Sequence, residues 1–149
     1  MMVAHEKRIM RLEMNKEKEA AMHIQPLNTA PLNERGGQKS WLLLTEGQFG
    51  AKNLAITFVE GAPDSMQAVH GHPDNEQVYV IVRGRGVMQV ADEMQEVGEG
   101  TLVYIPPGAA HAIKNTSDEP LVFVSATSPP FDAKELNAYF AYKPSSGAG

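Results

Sequence analysis

His70 and His72 stand two residues apart in the stretch MQAVHGH, residues 66–72. On an extended chain, residues i and i+2 project to the same side. Two imidazoles side by side can share one metal ion. Met66 and Ala68 have the same parity and are apolar, which predicts that this side faces inward. Pro73-Asp74-Asn75 follows at once and has turn chemistry, so two surface histidines beside a turn is the competing reading. A third histidine, His111, comes just after Pro106-Pro107-Gly108, which turns the chain ahead of it. There is no cysteine. Disulfides, zinc fingers, iron–sulfur clusters and cysteine nucleophiles are therefore excluded. No Ser/His/Asp arrangement is evident from spacing.

The elements that would position these histidines are short. From Trp41 onward the chain reads WLLLTEG, LAITFVEG, MQAVHGH, QVYVIVRG, GVMQVAD, MQEVG, TLVYIPPG, HAIKN and LVFVSATS. These runs are rich in β-branched and aromatic residues and are separated by Gly, Pro, Asn and Asp. Many short strands at close spacing predict an all-β fold, a closed barrel or double-sheet jelly roll, with six to eight strands. Met66, Met88, Trp41 and Phe49 are expected in its core. Gly84-Arg85-Gly86 has the look of a glycine-rich loop, but no helix follows it, so it is not read as a phosphate loop.

Two spaced motifs carry a family resemblance. Gly100, Pro106, Gly108, His111 and Asn115 match the pattern G-x5-P-x-G-x2-H-x3-N at every fixed position. His70, His72 and Gly84 match parts of G-x5-H-x-H-x(3,4)-E-x6-G. That first motif departs at its early glycine, where Asp64 stands, and at its glutamate, where Gln77 stands with six residues between it and Gly84. Residues 40–130 thus resemble the cupin superfamily, in particular its small single-domain members. The resemblance implies a double-stranded β-helix with short terminal helices. It also implies one divalent metal ion held by His70, His72, His111 and a fourth side chain. Gln77 and Glu76 compete for that fourth place. If Glu76 faced inward, Val78, Val80 and Val82 would do so too; if Gln77 does, Tyr79 and Ile81 accompany it. We favour Gln77, since some cupins accept glutamine there. Mixed nitrogen and oxygen ligands suit Fe, Mn, Ni, Co or Zn without deciding among them. On the Gln77 face, Tyr79 would be a hydrogen-bond donor inside the barrel and a candidate catalytic residue, or else only a barrel-filling aromatic.

What the resemblance implies about function is an enzyme acting on a small organic or sugar-acid-like substrate, by dioxygenase-type or isomerase/lyase-type chemistry. The alternative is a non-catalytic module that binds or senses a small ligand. A homodimer is also implied. The net charge of −5 and the lack of a basic stripe argue against a nucleic-acid partner. No apolar run, Trp41 to Leu44 included, is long enough to span a bilayer. The charged opening MMVAHEKRIMRLEMNKEKEAAM has no secretory h-region, so a cytoplasmic protein is expected. Residues 1–22 read as a charged leader, helical or disordered, with His5 and His23 solvated. Residues 23–143 read as one barrel domain, closed by a short helix after Asp132, and 144–149 as a flexible tail.

Overall fold

The computed structural model describes residues 1–131. It opens with helix α1 (Ala4–Glu19), followed by nine strands: β1 (Leu32–Arg35), β2 (Gln38–Leu44), β3 (Ala55–Gly61), β4 (Glu76–Arg83), β5 (Arg85–Val90), β6 (Glu93–Gly98), β7 (Leu102–Ile105), β8 (His111–Lys114) and β9 (Leu121–Ser128). The strands form a six-stranded sheet, ordered β1-β2-β3-β9-β4-β7, and a three-stranded sheet, ordered β6-β5-β8. All their pairings are antiparallel. This is the all-β double-sheet jelly roll that the strand pattern predicts. The closing helix and the tail, residues 133–149, lie outside the described residues.

Alternation sets which residues enter the barrel. Along β4 the inward positions are Gln77, Tyr79 and Ile81, all buried, while Glu76 is exposed. Phe123 on β9 is 0% exposed and stacks on Tyr79 at 4.6 Å between ring centroids. Ile81, Ile105, Ile113, Leu121, Val59 and Met88 complete that core. Gly84 lets β4 turn directly into β5. Its φ is +81°, and a Cβ there would stand 2.5 Å from the carbonyl oxygen of Pro120, so no other residue fits. The Gly84-Arg85-Gly86 stretch is therefore a strand junction.

The outer face of the large sheet is also apolar. Leu32, Trp41, Phe58, Val124, Val80 and Leu102 are cross-strand neighbours in one unbroken row. This explains why hydrophobicity alone could not choose the face of β4: Val78 and Val80 point outward and are still only half-exposed.

Several expectations need correction. Among the described residues there are nine strands, because the hairpin of β1 and the start of β2 was not anticipated. Residues 66–72 form no regular strand. They touch β8 through two isolated bridges, Met66 to Lys114 and His70 to His111. Four residue steps on one side face three on the other, so the ladder breaks as at a bulge. Met66 and Phe49 are 49% and 42% exposed rather than core, and Trp41 lies on the outer face, edge-on to Phe58; only Met88 is buried.

Candidate metal centre

The three histidines come from two segments that bond to each other. β8 begins at His111, which is 1% exposed. Its backbone N–H donates to His70 O (2.8 Å), and His70 N–H donates to His111 O (3.1 Å). The Pro106-Pro107-Gly108 turn is fixed to the other segment as well, with Gly108 N–H donating to His72 O at 2.8 Å. The result brings one ring nitrogen of His70, His72 and His111 within 4.8 Å of one another. His70 and His111 rings are 4.3 Å apart.

The tautomers follow from the backbone. His70 Nδ1 lies 2.7 Å from Ala68 O, and His111 Nδ1 lies 3.0 Å from Ala109 O. A carbonyl only accepts, so each Nδ1 carries the proton and each Nε2 keeps its lone pair. His111 Nε2 is buried and has no hydrogen-bond partner among the described residues. Burial lowers the His72 pKa to about 4, helped by the neighbouring His70 and His111. Burial also lowers that of His111, opposed by the hydrogen bond to Ala109. Both rings are thus neutral at pH 7, the form a metal ion requires.

Gln77 is 5% exposed and lines the same cavity as His70, His72 and Tyr79. Its Nε2 donates to Thr127 Oγ1 at 2.9 Å, which leaves Oε1 buried and unpartnered. Glu76 lies on the opposite face of β4 and accepts a hydrogen bond from Tyr104 at 2.6 Å. That bond is the main cause of the raised Tyr104 pKa. His111 Nε2 and the two further imidazoles beside it make a donor set that suits a divalent transition metal.

The cavity has a volume of about 520 Å³ and runs between β2 and residues 66–72. Met66, Ala68, His70 and His72 all line it. The shared parity therefore holds, although the face borders an open cavity instead of a closed core. Tyr79 donates to Gln67 Oε1 at 3.3 Å, edge-on to His111. Phe131 packs on His72 at 4.6 Å. Thr127, Gln67 and Phe131 went unnoticed in the sequence, because each acts by cross-strand or loop contacts that spacing does not encode. Asn115, the last residue of the second motif, is no ligand. It is 0% exposed, and its Nδ2 bonds to the carbonyls of Gly61, Ala62 and Glu119.

Comparison with known proteins agrees with this geometry. Residues 57–127 match the family model for the cupin domain. An uncharacterized protein of Methanocaldococcus jannaschii is 35% identical over 71 residues, 48% of this chain and 57% of that protein. A glucose-6-phosphate isomerase of Thermococcus kodakarensis is 36% identical over 61 residues, 38% of this chain and 32% of the isomerase. The likeness thus spans about half or less of these relatives' length. A solved structure, described as a predicted oxalate decarboxylase from Thermotoga maritima, superimposes with a TM-score of 0.66 at 18% identity, over 72% of this chain and 99% of that one. Residues 57–127 thus match a cupin domain, and the topology of the chain is that of a solved structure of this fold.

Proposed function

We propose that this chain is a metal-dependent enzyme acting on a small, oxygen-rich organic or sugar acid by isomerase- or lyase-type chemistry. One observation carries the reading: three ring nitrogens lie within 4.8 Å of one another, while His111 Nε2 and Gln77 Oε1 are buried and unpartnered. His70, His72, His111 and Gln77 would hold the ion through neutral donors. A divalent ion so held keeps its full charge and supplies Lewis acidity towards a carbonyl or enolate oxygen. Thr127 fixes the Gln77 amide with its oxygen free. Tyr79 is the hydroxyl donor we assign to orient the substrate, and Phe131 and Phe123 shield the cavity from water. The names of two similar proteins, a sugar-phosphate isomerase and a predicted oxalate decarboxylase, point to the same kinds of compound.

The test is titration of the metal-stripped protein with Ni²⁺, Co²⁺, Zn²⁺, Mn²⁺ and Fe²⁺, then an activity screen with sugar acids and keto acids. One ion per chain is expected, bound more tightly in Gln77→Glu, which adds a negative donor, and unchanged in Glu76→Gln. Loss of binding in Glu76→Gln, with no effect of Gln77→Glu, overturns the ligand set. Oxygen uptake during turnover would reassign the chemistry to a dioxygenase.

We also propose that the apolar outer row of the large sheet pairs with a second copy. Six strands about 4.8 Å apart make a row about 24 Å across, and Leu32 and Leu102 in it are 46% and 58% exposed. Glu34, Lys39 and Glu60 lie at one margin in mutual register, the charged rim of an interface with an apolar centre. Size-exclusion chromatography with light scattering should give a dimer, and Phe58→Glu a monomer. A wild-type monomer refutes the pairing.

A further inference from the structure

The β1–β2 hairpin forms one end of the cavity, away from the histidines. Its turn is Gly36-Gly37, both with positive φ, 59° and 80°, the backbone that tight hairpins require. Arg35 and Gln38 flank the turn and oppose each other in register, so their side chains share a face. Both line the cavity. Asn33, opposite Ser40, lies on that face too.

The chain closes tightly around this corner. A Cβ on Gly37 would stand 3.1 Å from Ser65 Cβ. One on Gly61 would stand 2.7 Å from Ser65 Oγ and 3.6 Å from Gln38 Nε2. Gln38 and Ser65, 8% and 7% exposed, thus converge on the same piece of backbone. Among the described residues, Gln38 Nε2 and Ser65 Oγ in this corner, and Asn33 Nδ2 on the same face of the hairpin, are nevertheless buried without a hydrogen-bond partner. Buried donors are ordinarily satisfied, so the two that converge at Gly61, of which Gln38 lines the cavity together with Arg35, call for an acceptor. Glu46, the carboxylate of the cavity wall among the described residues, follows the far end of β2.

We propose that this corner is a second subsite, binding an oxyanion, carboxylate or phosphate, at the end of the ligand remote from the histidines. It rests on the reading of the cavity as a substrate pocket. Arg35 supplies charge and a planar fork suited to such groups, and Gln38 supplies an amide donor. Gly36 packs by Met66, since its Cβ would stand 3.6 Å from Met66 O. His70 is four residues further along, opposite a position three residues away on β8 and so about 10 Å off. The ligand is therefore an elongated acid with anionic groups at both ends, rather than a two-carbon one.

Acetate and inorganic phosphate are titrated separately into the metal-free full chain while the Gln38 side-chain amide is followed by NMR. Diacids from oxalate to sebacate, and monoacids of matching length, are then compared by calorimetry on the Ni²⁺-loaded chain. We expect a saturable Gln38 shift, from whichever anion is the true head group. Longer diacids should bind at least about tenfold tighter than matching monoacids. Arg35→Met should abolish both effects, Gln38→Leu should weaken the diacid preference, and Arg35→Lys should retain part of it. Ni²⁺ affinity should be unchanged in all three. A Gln38 shift without Ni²⁺ binding would refute the metal centre and leave the subsite standing. Ni²⁺ binding with no Gln38 shift, or with no diacid preference, overturns the subsite alone.

Discussion

The two segments that supply the histidines are built differently. Residues 107–115 run from a turn into a regular strand, with His111, Ala112, Ile113 and Asn115 all buried. Residues 66–72 touch that strand at two bridges and otherwise lie open, with Val69 51% exposed. The first segment is part of the core, and the second is fitted onto it. His70 gets its place from the paired bonds between its backbone and that of His111. A site made this way keeps one ligand rigid and leaves the other two on a strap that also forms the cavity wall. Stability should therefore depend on the first segment, while both determine metal binding.

The largest effect expected from this difference is on folding. Asn115 bonds to three carbonyls and accepts from Ser117 N–H and Oγ, at 2.9 Å each. Asn115→Ala leaves several buried groups unpaired and should cost at least about 3 kcal/mol in urea unfolding of the metal-free protein. His70→Ala, on the open strap, should cost under about 1 kcal/mol. Equal costs would mean that the strap is as structural as β8.

Metal binding should erase the distinction. His111→Ala and His70→Ala should each weaken Ni²⁺ binding by on the order of 100-fold, at least the loss seen when a ligand's supporting group is removed. Calorimetry on the two variants decides it. Unchanged affinity in either one removes that histidine from the ligand set.

The pH dependence of the metal-free protein is a smaller effect. Folded His72 stays neutral down to about pH 4 because burial and the neighbouring histidines oppose its charge. The unfolded chain takes up that proton near its ordinary value of 6.5. Between these values the unfolded state binds more protons, so stability falls as pH falls from 6.5 towards 4. His111 contributes in the same direction. Thermal melts across this range should show the loss, and His72→Ala should flatten it. A melting temperature that rises on acidification would contradict the burial of His72.

The histidine pair could be recognised in the sequence because i, i+2 parity survives even where an extended segment is not a regular strand. The second motif was legible because a turn, a buried ligand position and a buried asparagine sit at fixed offsets along one short piece of chain. The face of β4 was less legible. Valines on its outer side satisfy the sheet's apolar outer row, so hydrophobicity slightly favours the wrong register, and only the neighbour strands show that Gln77 meets Thr127 while Glu76 meets Tyr104. The β1–β2 hairpin had a signal in Gly36-Gly37, but its inward residues Asn33, Arg35 and Gln38 are polar and so hid the barrel's edge. Their convergence with Ser65 depends on long-range packing that no spacing encodes.

The smallest effect should come from the leader. Every side chain described in α1 is exposed, including Ile9, Leu12 and Met14 at 43%, 54% and 61%. Its start is capped locally, with Val3 N–H donating to Glu6 Oε2 at 3.0 Å. The chain first engages the barrel region just beyond it. His23 stacks on Phe49 at 4.8 Å, and Gln48 Nε2 donates to Gln25 Oε1 at 3.1 Å. A helix of 16 residues whose described side chains are all exposed gains little from its own hydrogen bonds in water. We propose on this ground a domain boundary at residues 22–23. A chain starting at Met22 should lose helical circular dichroism but keep its unfolding free energy within about 0.5 kcal/mol. The Ni²⁺ affinity should also be unchanged, since both histidine segments lie beyond the cut. A larger loss that grows on dilution would place α1 in the interface between copies, and one independent of concentration would place it in the barrel's own fold.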